Sequence, residues 1–137
     1  MINGDEWAKR IPGSEESIYQ GGFHFVDFTD INNPVETAIY QVPEVGSHNH
    51  WVEGDILYAG YYYGGIRVLD ISGELLGDLY AQGREIAFFE GRDPNGKIPN
   101  ETNVWGVIPY KGLIYFADHY NGLWAVKLVD EEPMGTN

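Results

Sequence analysis

Ser47 to Ser72 reads SHNHWVEGDILYAGYYYGGIRVLDIS, and its pattern decides the fold class. His48 to Val52 mix polar and apolar residues before the turn Glu53-Gly54-Asp55. Ile56 to Tyr61 then form a second run, rich in aromatic and aliphatic residues. Gly64-Gly65 reads as a tight turn, because glycine takes positive φ without steric cost. Ile66, Val68 and Ile71 mark a third run that closes on Asp70 and Ser72. Short runs of β-branched and aromatic residues broken by glycine predict strands and disfavour helical repeats.

Approximate copies flank this stretch. Upstream, GGFHFVDFTD aligns Gly21-Gly22-Phe23 with Gly64-Gly65-Ile66 and Asp27 with Asp70, all at an offset of 43. Downstream, NVWGVIPYKGLIYFADHYNGLWAVKL aligns Asn103 and Trp105 with Asn49 and Trp51, Ala117 with Ala59, and Gly122-Leu123 with Gly65-Ile66. The glycine offset here is 57, which signals an insertion, and Lys127 replaces the recurring aspartate. A period of about 40–45 residues with roughly four strands per period is the range of β-propeller blades. The expected fold is all-β: antiparallel four-stranded blades forming a partial β-propeller of about two and a half blades, against about 4–8 in a closed ring.

The order of these parts is a His or Asn-Val-Trp entry, a glycine turn, LYA or IYFAD, then GG-x-R-V-x-D-I-S or G-L-W-x-V. It resembles that of the LVIVD-repeat proteins, over about residues 18–130. The resemblance implies a β-propeller and a cell-surface or extracytoplasmic setting. It implies no reaction, since most such proteins have no known activity.

The boundaries that follow are a leader over 1–16, blades over 17–130 and a tail over 131–137. Within the blades, 17–45 is a first partial unit, 46–81 a second, 82–102 an insertion and 103–130 a third. Val35 to Val42 is expected as the outermost strand of the first unit and Leu75 to Tyr80 as the last of the second. In the insertion, Glu85 to Phe89 is apolar enough to pack as a strand, whereas GRDPNGKIPN is a loop. Because the first unit starts in mid-repeat, the favoured expectation is the last blades of a longer propeller, with a unit that closes by self-association or a small open β-sheet domain that manages its own edges as the alternatives.

Composition bounds the partners. Four Trp, ten Tyr and six Phe, with 43% hydrophobic residues, supply a core and exclude disorder. A net charge of −13 and a pI near 4.4 disfavour nucleic acid and anionic membranes. The chain has no cysteine, so disulfides, thiolate metal sites and cysteine nucleophiles are excluded. No run is apolar enough to insert in a membrane, and the N-terminus is polar rather than signal-like, so an exported setting implies an upstream signal.

The candidate ligand-binding residues are His48, Asn49, His50, Trp51, Asn103, Trp105 and His119. On a regular strand His48 and His50 face the same side and could share a divalent metal, with His119, Asp118 or His24 as a third ligand. The competing role is hydrogen bonding at the strand entry. Tyr61, Tyr62, Tyr63, Tyr120 and Trp124 form an aromatic concentration suited to a carbohydrate, small-molecule or protein partner, or to packing between blades. Asp27 and Asp70 read as braces of the following turn. Asp30, Asn32 and Asn33, or Asp93 and Asn95, offer hard oxygens for calcium without matching an EF-hand. Asn100-Glu101-Thr102 is a glycosylation sequon, and Arg67 is expected to pair with an acid on the sheet face. No serine elbow, phosphate loop or paired-carboxylate catalyst can be assigned, so catalytic residues stay unknown. A non-enzymatic binding scaffold without a cofactor is the favoured reading. Its rival is a metal-assisted hydrolase or lactonase-like propeller built on His48 and His50.

Overall fold

The computed structural model describes residues 1–5, 8–10, 17–19 and 21–129, and no helix occurs among them. In chain order the strands are β1 (Ile2–Asp5), β2 (Ala8–Arg10), β3 (Ser17–Tyr19), β4 (Gly22–Asp27), β5 (Val35–Gln41), β6 (Ser47–Glu53) and β7 (Ile56–Tyr61). They continue as β8 (Gly65–Asp70), β9 (Gly77–Asp78), β10 (Glu85–Phe89), β11 (Val104–Tyr110), β12 (Leu113–Asp118) and β13 (Gly122–Val126). The three short runs of the central stretch are β6, β7 and β8, joined by tight turns as their glycines require.

Three sheets follow one another along the chain. The first has the order β1-β4-β5-β9, the second β10-β8-β7-β6 and the third β11-β12-β13, while β2 and β3 form a separate hairpin. Pairing is antiparallel except for β9, which runs parallel to β5. No sheet closes on itself among the described residues.

Alternation along each strand sends one set of side chains to each neighbouring sheet. Phe23, Phe25, Ala38 and Tyr40 of the first sheet meet Leu57, Ala59, Tyr61 and Leu69 of the second. From the other face of the second sheet, Ile66 and Val68 meet Val104, Val107, Ile114 and Phe116 of the third. Rings lock the first contact edge to face, with Phe23–Tyr61 centroids 5.6 Å apart and Tyr40–Tyr61 6.0 Å apart.

Two strand assignments need correction. Gly77–Asp78, inside the expected strand Leu75 to Tyr80, crosses over to extend the first sheet beyond β5. The outer strand of the second sheet is instead Glu85–Phe89, from the expected insertion. The cause lies in the residues: Gly73 and Gly77 both take φ of 67° and turn the chain away. Ala87 then packs with Ile66 and Val68, and Glu85 reaches Arg67. The leader is also corrected in part, since Ile2–Asp5 pairs with β4. Residues 6–7 and 11–16, with Trp7 and Ile11, lie outside the described residues, as do 130–137.

The true repeat offset between the second and third sheets is 57, the separation of Gly65 and Gly122. Tyr62 N–H donates to Gly46 O at 2.9 Å, and His119 N–H donates to Asn103 O at 2.8 Å, at the same offset. Trp105 is therefore the counterpart of His48, and Ile108 that of Trp51. Matching Asn-x-Trp by residue type misaligns the strand by three positions. Both entry strands are bulged, between Ser47 and His50 and between Val104 and Gly106, so residue type there does not report the register.

Asp27 and Asp70 brace turns as their position suggests. Asp27 Oδ1 accepts from Thr29 N at 2.8 Å and Thr29 Oγ1 at 2.6 Å, and Asp70 Oδ1 accepts from Ser72 N at 2.8 Å. Hydroxyl and then backbone bonds from Thr29 and Ser72 hold both carboxyls below their ordinary value of 3.8. A folded pKa below the unfolded one gives stability that is present above the ordinary value and lost as pH falls through the lowered ones. Urea midpoints are expected to fall on acidification below about pH 4. The decline should be shallower in a Asp27→Asn/Asp70→Asn variant, and an equally steep one would remove these residues from the acid response. Asp30 and Asp93 are likewise engaged in turns, accepting from Asn32 N at 3.0 Å and Asn95 N at 2.7 Å.

Candidate functional site

In β6, two residues, His48 and Asn49, stand opposite the single residue Gly60. This bulge reverses the alternation, so His48 and His50 do not face the same side as the regular spacing predicts. His48 turns toward the third sheet, where its ring stacks on Trp105 at 5.2 Å and 26°. His50 turns toward the first sheet and meets Phe23 edge-on at 5.1 Å. Burial lowers the pKa of His50, which favours the neutral ring.

The remaining expected metal ligands are also separated. His24 Nδ1 is 2.5 Å from Glu36 Oε2 on the first sheet. Asp118 is buried and saturated: Oδ2 accepts from Thr102 Oγ1 at 2.6 Å and Asn103 N at 3.0 Å, and Oδ1 from Tyr120 N at 2.7 Å and Asn121 N at 3.0 Å. Among the described residues no group of three or more His, Asp or Glu is placed to hold a metal ion.

The structure does bring together His48, Asn103, Trp105 and His119, at the seam between the second and third sheets. The Trp105 carbonyl can only accept, so His48 Nδ1 carries the proton of their 2.8 Å bond. The Trp105 indole N–H donates to Asn103 Oδ1 at 2.5 Å. Asn103 is itself anchored by Asp118, so a buried carboxylate orients the indole through one intermediate. Around Trp105 stand the edge of Tyr62 at 6.4 Å and the tilted ring of His119 at 5.3 Å. His119 stacks in turn on Tyr120 at 5.8 Å and 22°. Tyr63 and Tyr120 are joined through their hydroxyls, a bond that raises the Tyr63 pKa ahead of burial.

Tyr62, Tyr63 and Tyr120 are legible in the sequence as an aromatic concentration but not as partners of His48 and Trp105. The missing signal is the 57-residue offset, which makes Tyr62 the counterpart of His119 and Tyr63 that of Tyr120. Each sheet thus contributes one ring from the strand entry and two from the turn. Tyr61 and Trp124 belong to the interior instead: Tyr61 is fully buried, and Trp124 stacks on Phe116. Asn49 is exposed beside the cluster. Trp51, paired across to Tyr58, is exposed without joining it.

Trp105 remains 46% exposed although its carbonyl and its indole N–H are both held. The result is an oriented, half-exposed indole flanked by the imidazoles of His48 and His119 and by the Tyr62 phenol. No family model matches the chain, and no curated protein or solved structure matches it.

Proposed function

We propose that the chain is a segment of an LVIVD-type β-propeller that acts at the cell surface or outside the cytoplasm as a non-enzymatic binding scaffold. Successive sheets packed face to face, the second and third aligned residue for residue at an offset of 57, support the propeller reading. The observation that carries the binding reading is the Trp105 platform, oriented from behind and open in front. Its ligand presents a flat apolar face, as a sugar ring does, or a cation that can sit over an indole in an acidic protein.

Titration with sugars and short basic peptides, followed by tryptophan fluorescence, tests this. A binding ligand should lose about tenfold affinity in Trp105→Ala, roughly 1.4 kcal/mol, and little in the exposed Trp51→Ala control. Equal affinity of the Trp105 variant and the native chain would sink the assignment.

A further inference from the structure

Three Asn-Gly dipeptides occur in the chain, Asn3-Gly4, Asn95-Gly96 and Asn121-Gly122, and the fold treats them differently. This pairing is open to succinimide formation, because a glycine has no Cβ to shield its backbone nitrogen from the preceding amide carbon. Asn3 lies within β1, in register with His24 of β4, so ring closure there has to pull a paired strand off its neighbour. Asn121 has its amide held in place. Its Nδ2 donates to Gly91 O at 2.7 Å and to Glu101 O at 2.8 Å. Its Oδ1 is buried against Gly96, where an added Cβ would stand 2.0 Å away.

Asn95 has neither restraint. It is exposed in the loop between β10 and β11, and its side chain makes no hydrogen bond among the described residues. The backbone around it is turned and loosely held. Asn95 N–H donates to Asp93 Oδ1 at 2.7 Å. Gly96 N, the atom that would attack, has only a long 3.2 Å bond to Asp93 O, a carbonyl that also accepts from Asn100 N at 2.9 Å. The same dipeptide is thus clamped at 121 and open at 95.

We propose that Asn95 is a site of spontaneous deamidation, and that the fold protects Asn121 from the same reaction. Gly96 N loses its proton and bonds to Asn95 Cγ, the Cγ–Nδ2 bond breaks, and ammonia leaves with that proton. Water then opens the succinimide at either carbonyl to give aspartate or isoaspartate, with no change of oxidation state. The isoaspartate form routes the main chain through Cβ, one atom longer, between Asp93 and Lys97. Lys97 N–H donates to Tyr120 O at 2.9 Å, so the lengthened loop loosens its hold on the turn that carries His119 and Tyr120. This inference rests on neither the propeller reading nor the binding reading.

The test is to age the full chain at mildly alkaline pH, both folded and in urea, and to map the products by digestion and mass spectrometry. In urea all three asparagines should convert at comparable rates. In the folded chain Asn95 should convert nearly as fast as in urea. Asn121, which must first break two hydrogen bonds of ordinary strength, should slow by about tenfold or more. Labelling by an isoaspartyl methyltransferase should fall on Asn95 and vanish in Asn95→Gln, whose longer side chain would have to close a six-membered ring. The Lys97 amide should exchange faster in the aged chain than in the fresh one. Protection of Asn95 as strong as that of Asn121, or equal conversion of Asn121 in the folded and unfolded chains, would overturn the proposal. An unchanged Lys97 amide would overturn its link to Tyr120.

Discussion

Gly65→Ala is expected to destabilise the chain by about 3–4 kcal/mol, a large part of the ~5–15 kcal/mol typical of a domain. Two terms add. A φ of 73° costs an alanine about 1–2 kcal/mol, because its Cβ crowds the following carbonyl. The new Cβ would also stand 2.2 Å from Phe89 O and 2.8 Å from Glu90 Cα, both backbone atoms that no rotamer change can move. Forcing β10 outward costs a further ~1–3 kcal/mol, the range for overpacked sites. Gly54→Ala separates the terms, since Gly54 has φ of 58° but open space around it. That variant should lose only the φ term, about 1–2 kcal/mol. Urea denaturation of both, with hydrogen exchange along β10, checks the result. Equal losses would mean that β10 yields freely and that the Gly65 contact does not lock the second sheet.

Legibility in the sequence followed the turns. The glycine dipeptides and the alternating runs give β6, β7 and β8 directly, because periodicity and positive φ are local properties. What a local pattern cannot specify is the partner of an edge. Glu85 to Phe89 looks like part of an insertion until Arg67, eighteen residues earlier, supplies its charge partner. The bulges at His48 and Trp105 are equally hidden, since an extra residue leaves no mark on composition while reversing every later side chain. The same bulge divides His48 from His50 and joins His48 to Trp105. Site residues named from their types were therefore gathered into one cluster only in part.

Glu85→Ala should destabilise the second sheet by about 3 kcal/mol. Arg67 is 8% exposed, with its Nη1 3.4 Å from both Glu85 oxygens and its Nε donating to Gly64 O at 3.0 Å. Removing one member of a buried pair leaves the other desolvated and uncompensated, at about 3–5 kcal/mol. The lower end applies here, because Glu90 lies 3.8 Å from Nη2 and the Phe88 ring 4.7 Å from the guanidinium carbon. Tyr40 adds to the loss. Its hydroxyl donates to Glu85, and burial followed by that bond pushes its pKa upward, so the phenol stays protonated and needs an acceptor. Glu85→Gln keeps an acceptor for Tyr40 and should cost less than Glu85→Ala. Arg67→Met removes the opposite charge. Combining it with Glu85→Gln leaves no buried charge unpaired, so the double variant should fall short of the sum of the singles by at least ~1 kcal/mol, within the range for residues in contact. Urea unfolding across the four-member cycle measures that coupling. Strict additivity would mean that the pair is solvated as β10 breathes, and that the edge of the second sheet is held by its apolar residues and the Gly65 contact alone.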